Sequence, residues 1–143
     1  MPRVLLIWAA TPMSDSSLTD RLFASAYQGD VSTLRELLAS GADLHATDAQ
    51  GQTLLMAAAS GRHADLSRVL VAAGVPVDVR AADGSTALMK AVLWGDLDTI
   101  DLLLAQGADV NALDRDGWSP LRLAQARGDR QAEARLRAHG ASV

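Results

Sequence analysis

Cysteine is absent from the 143 residues, lysine occurs once, at Lys90, and aromatic side chains make up only 3% of the chain. Without cysteine there are no disulfides, no thiolate metal site and no cysteine nucleophile, and the redox compartment is left open. The five rings are Trp8, Phe23, Tyr27, Trp94 and Trp118. With 49% of residues hydrophobic, a core so poor in rings must be built from Ala, Leu and Val. Small and aliphatic side chains in that quantity suit helix packed on helix. An excess of positive charge is also lacking: 13 Lys and Arg face 17 Asp and Glu, a formal charge of -4. That excludes electrostatic capture of nucleic acid, which needs a basic face. No apolar run approaches the roughly 20 residues of a membrane span. The length suits one domain.

Residues 1–13 stand apart as an N-terminal extension, in which Arg3 precedes an apolar run from Val4 to Ala10 and then Thr11-Pro12. A secretory signal has this order, but its apolar region usually runs about 7–15 residues and ends in a small-x-small cleavage site. Here the run is minimal and the cleavage site poor. The expectation is a tail carrying Trp8, with a weak signal peptide or a functional start at Met13 as the other readings. The expected location is the cytoplasm, or the periplasm or exterior if the segment acts as a signal.

What the chain does have is a fixed period. Gly51, Gly84 and Gly117 are 33 residues apart, and so are Gly41, Gly74, Gly107 and Gly140. Thr53, Thr86 and Ser119 recur in register just before helix-like apolar patterns such as Leu88, Ala91 and Val92. Hydroxyls suit a helix start, where free N–H groups need acceptors. Gly29, Gly95 and Gly128 stand where a helix would end with positive φ, and Asp30, Asp96 and Asp129 where a second helix would be capped. The second helix carries an apolar stripe: Val31, Leu34, Leu37 and Leu38 in the first unit, Leu97, Ile100, Leu103 and Leu104 in the third. A recurring unit of this length cannot bury its own apolar face and must stack on its neighbours.

The residues Asp48 to Ala59, Gly84 to Ala91 and Leu103 to Ala112 follow the patterns D-x-x-G-x-T-P-L-H-x-A-A and L-L-x-x-G-A-D-x-N-A. In these the chain resembles the ankyrin repeat, with four repeats over about 15–47, 48–80, 81–113 and 114–143 forming one domain of residues 14–143. The resemblance implies an all-α solenoid of stacked helix–turn–helix units with projecting hairpin-like loops and a concave recognition face. It also implies a non-enzymatic module that binds another protein, as an adaptor or inhibitor, and is monomeric when free. The wealth of Ala and Arg points to a GC-rich, bacterial source. Small bacterial members of the resembled family include antidotes to a co-produced toxin. A structural, self-associating scaffold is the competing reading.

The departures define further expectations. The T-P-L-H proline survives only as Pro120, and its histidine is replaced by Met56, Met89 and Arg122. In the second unit glycine falls one place early, at Gly61, with Arg62 in its stead, so a remodelled turn is expected there. Val75-Pro76-Val77-Asp78 predicts an altered loop into the third unit. Arg130, Glu133 and Arg137 replace apolar residues of the last helix, and Asp20 and Arg21 stand at the other end, as polar caps should.

Catalytic and metal chemistry finds no constellation. His45, His63 and His139 are widely separated and read as a loop, a turn and a helix-end residue. Asp114-Arg115-Asp116-Gly117 lacks the later ligands of a calcium loop, and no glycine-rich phosphate cradle exists. No cofactor is expected.

Under the resemblance, loop tips and the exposed side of each first helix face the concavity. Mapped onto this chain they are Gln50, Gln52, Asp83, Ser85, Asp116 and Trp118 in the loops, and Tyr27, Ser60, Leu93, Trp94, Ala126 and Arg127 on the helices. Exposed Trp and Tyr are favoured interface anchors, so Trp94 and Trp118 are the expected anchors within a polar surround. Residues 13–113 carry six basic and thirteen acidic side chains, -7, against +2 for 114–143. A basic partner surface would be steered to the acidic repeats. Asp96, Asp98 and Asp101 are expected to point to solvent.

Overall fold

The computed structural model describes residues 15–142; the extension of residues 1–13, with Trp8, lies outside the described residues. Eight helices are described, in four pairs: α1 Asp15–Gln28 and α2 Val31–Ala39, α3 Leu54–Ser60 and α4 Ala64–Ala72, α5 Ala87–Trp94 and α6 Leu97–Ala105, α7 Pro120–Arg127 and α8 Arg130–Ala138. The first helices of the pairs stack in one row and the second helices in another, each helix touching its own partner and its row neighbours. This is the all-α solenoid that the period predicts.

The caps explain why the helices start where they do. Thr53, Thr86 and Ser119 accept hydrogen bonds from the N–H groups of Met56, Met89 and Arg122. Asp30, Asp96 and Asp129 do the same for Thr33, Thr99 and Ala132. Each such cap contributes about 1 kcal/mol relative to alanine. Asp96 does not point to solvent. It is buried, with Oδ2 accepting the Thr99 hydroxyl at 2.5 Å, whereas Asp98 and Asp101 are exposed and Asp101 pairs with Arg135 at 2.8 Å.

Alanine lets the inner row pack closely. Ala26, Ala57, Ala58, Ala59, Ala87, Ala91 and Ala124 of the inner helices are almost fully buried. Short side chains let these backbones approach, while the outer row is held apart by Leu34, Leu37, Leu66, Leu70, Ile100 and Leu103. The inner row is accordingly the more closely packed. Phe23, at 6% exposure, is the exception to a ring-free core.

Loop tips are tied along the stack by their backbones. The Gln50 carbonyl accepts from Ala82 N–H at 2.8 Å, and one repeat later the Asp83 carbonyl accepts from Arg115 N–H at 2.9 Å. The loop after α4 differs as its sequence predicts. Asp43 and Asp109 carbonyls close tight turns onto Ala46 and Ala112, but Pro76 stands at the equivalent place, where the chain makes a bend instead.

At the α3–α4 turn the expectation needs correcting. The turn keeps its left-handed residue, which is Arg62 at φ 61°, while Gly61 has an ordinary φ of -81°. Gly61 is needed for space instead: a Cβ there would lie 2.6 Å from the Tyr27 carbonyl oxygen and 2.6 Å from the His63 ring. His63 occupies the cap position that aspartate holds elsewhere, makes no cap bond, and sends Nε2–H to the Tyr27 carbonyl at 2.8 Å. Left-handed backbone costs a non-glycine residue about 1–2 kcal/mol. Arg62→Gly is therefore expected to stabilise the protein by about 1 kcal/mol, read as a higher urea midpoint at unchanged slope; an unchanged midpoint would show that the turn carries no strain.

Candidate functional site

The face that the resemblance implies to be concave comprises the last turns of the inner helices and the loop tips that precede them. Large apolar side chains left exposed among the described residues are Tyr27, Leu93, Trp94 and Leu113. Three of them lie at inner-helix ends. Tyr27 and Leu93 are equivalent positions two repeats apart, with the half-buried Ser60 between them, and Trp94 adjoins Leu93 at 51% exposure. A helix end faces its indole outward here because the next residue, Gly95, turns the chain at once to Asp96.

Trp118 is placed differently from the anchor expected. It is half-buried, and the Arg122 guanidinium lies 4.9 Å from its ring centroid, a cation–π contact that occupies one face. Arg122 also donates to the Gly117 carbonyl at 3.2 Å. Arg127 is exposed, but its guanidinium donates to the Leu93 carbonyl and so ties α7 to α5. The carbonyls of Tyr27 and Leu93, which are equivalent by the repeat, thus receive His63 and Arg127 respectively.

In the loops, Gln50, Asp83 and Asp116 are exposed and Gln52 is half-buried. Ser85, expected on the open face, is a correction: it is 7% exposed. Its hydroxyl and N–H both go to Asp83 Oδ1, at 2.6 and 3.0 Å, so it shapes the tip instead of meeting a partner. These bonds, chiefly the hydroxyl, hold the Asp83 carboxyl below its usual range, and the Lys90 ammonium adds to the effect. Partial burial, with the Asp48 carboxylate second, pushes the Tyr27 phenol up.

Lys90 was not among the residues predicted from sequence. It sits on α5 one turn before Trp94 and joins Gln50, Gln52, Ala81, Ala82 and Asp83 around a cleft of about 150 Å³. The signal was present: Lys90 stands where the other units have Ala24, Ala57 and Leu123, so no repeat architecture asks for an ammonium there.

Among the described residues there is no group of three or more His, Asp or Glu placed to hold a metal ion, and no helix is long and apolar enough to cross a membrane. A family model described as ankyrin repeats, in three copies, matches residues 22–114. The pair α7 and α8 lies beyond that span and repeats its caps and its turn. No curated protein matches the chain.

Proposed function

Because the chain belongs to the ankyrin-repeat family, whose members are protein–protein interaction modules, we propose that it binds a protein partner in the concave face, as an adaptor or as an inhibitor such as a toxin antidote. The observation that carries this reading is the exposed apolar row of Tyr27, Leu93 and Trp94. Leaving an indole half in water forgoes burial that would contribute about 2 kcal/mol or more, whereas aromatic anchors of this kind dominate interface energetics. Gln50, Gln52, Asp83 and Asp116 form the polar rim, with Ser60 and Trp118 beside it. Arg127 and Ser85 support the surface from behind. The -7 charge of residues 13–113 favours a partner with a basic surface.

The free chain is a monomer in this reading. Its last helix turns Arg130 and Arg137 outward to solvent, where an apolar face would stack on a second copy. Trp94→Ala is expected to weaken capture of the partner from the source cells at least tenfold, about 1.4 kcal/mol, at unchanged thermal stability. Undiminished capture by the folded variant would remove the groove from the reading. Self-association of the wild type in sedimentation, lost in the same variant, would assign the row to a scaffold.

A further inference from the structure

The cleft of about 150 Å³ between the second and third loop tips has a chemistry unlike the rest of the concave surface. Its walls carry one cation, one anion and two primary amides: Lys90, Asp83, Gln50 and Gln52. Lys90 is half-buried, and among the described residues it takes part in no ion pair and its ammonium donates no hydrogen bond. Asp83 directs Oδ1 to Ser85, which leaves Oδ2 for another donor. The floor is fixed, because Ala82 N–H is held by the Gln50 carbonyl and the following Asp83 carbonyl by Arg115 N–H. The cleft is therefore preformed, rigid in its backbone and provided with unspent hydrogen-bonding groups.

A ligand group that enters must satisfy an ammonium and a carboxylate at once. A carboxylate would gain from Lys90 and be repelled by Asp83, and an ammonium would meet the reverse. A carboxamide presents an acceptor oxygen and two N–H donors, so its oxygen can take the Lys90 Nζ–H while its NH₂ donates to Asp83 Oδ2. The Gln50 and Gln52 amides can supply or accept at its edges. Burying a neutral group also avoids the desolvation of a third charge.

We propose that this cleft is a carboxamide-reading pocket, which receives the side chain of an asparagine or glutamine of the bound protein one helical turn from the Trp94 anchor. The identity of the bearer rests on the interaction reading above, whereas the pocket's selectivity stands by itself.

The test uses the whole chain and three probes of equal size: propionamide, propionate and propylammonium, titrated at constant ionic strength and followed by ¹H–¹⁵N spectra. Propionamide is expected to shift the Gln50 and Gln52 side-chain amides and the Ala82 and Asp83 backbone signals saturably, at least fivefold more tightly than either charged probe. Lys90→Met, which keeps the unbranched stem without the ammonium, is expected to abolish that preference while the remaining spectrum stays in place. Propionate binding as tightly as propionamide, an absence of saturable shifts at these residues, or a preference that survives in Lys90→Met would each overturn the pocket. Should propionamide bind as expected while Trp94→Ala leaves partner capture unchanged, the pocket stands and the groove reading falls; the opposite pair of results leaves the groove without a carboxamide reader.

Discussion

Leu88→Ala is expected to lower the unfolding free energy by about 2–5 kcal/mol, the cost of a large-to-small change whose cavity cannot collapse. Leu88 is 1% exposed on α5, the inner helix that touches both α3 and α7. It belongs to the buried core between closely packed inner helices, so little can move in to fill the hole. Single domains have roughly 5–15 kcal/mol in all, and this one distributes its stability over four nearest-neighbour units. Removing Leu88 weakens the stack at its middle. Urea unfolding of the variant, followed by the fluorescence of Trp94 and Trp118, should separate into two transitions where the wild type shows one. A single transition displaced by less than 1 kcal/mol would mean that the inner row repacks freely.

Gly84→Ala is expected to cost about 2–3 kcal/mol, more than the same change at the equivalent glycines. Gly84 has φ +81°, and a Cβ there would fall 2.9 Å from Arg115 N and 3.1 Å from the Asp114 Cα. Backbone strain of about 1–2 kcal/mol is thus joined by loss of the Asp83–Arg115 backbone bond, worth about 1 kcal/mol. Gly51 has φ +74° with its nearest atom, Ala82 N, at 3.2 Å, and Gly117 has φ +80° with nothing within 4 Å. The three alanine variants should therefore rank Gly84 above Gly51 above Gly117, with only the conformational strain remaining at the last. Equal midpoint shifts in thermal unfolding would show that loop-to-loop contact contributes nothing.

The architecture was legible because its determinants are local and recur. Thr86 caps α5 for the same reason that Ser119 caps α7, and a 33-residue repetition of one hydroxyl is visible without coordinates. The exposure of Trp94 was legible as well, since an indole at that position has no counterpart in the core pattern. Less legible were features that depend on which side chains a turn or a helix start draws together, or on what the next repeat brings close. Ser85 resembles a surface serine until Asp83 Oδ1 is seen to draw it inward. Trp118 resembles an anchor until Arg122 covers its ring. Asp96 resembles a solvent-facing acid, yet burial and the Thr99 hydroxyl make it structural. Lys90 acquires a role only through Gln50 and Gln52, which are about 40 residues earlier and reach it across the inter-repeat gap.

The imidazole lodged at the first α-turn has an evolutionary consequence. The His63 ring lies where a Cβ at Gly29 would come within 2.4 Å of it and a Cβ at Gly61 within 2.6 Å. While that ring remains, mutational paths through side chains at either glycine are closed, whereas a return to glycine at position 62 is open and favourable. Replacing His63 by aspartate, as in the other three units, would remove the ring yet leave position 61 closed, because the Tyr27 carbonyl oxygen would still lie 2.6 Å from a Cβ there. This corner of the chain is thereby constrained twice over, by an imidazole of its own repeat and by a backbone carbonyl of the repeat before it.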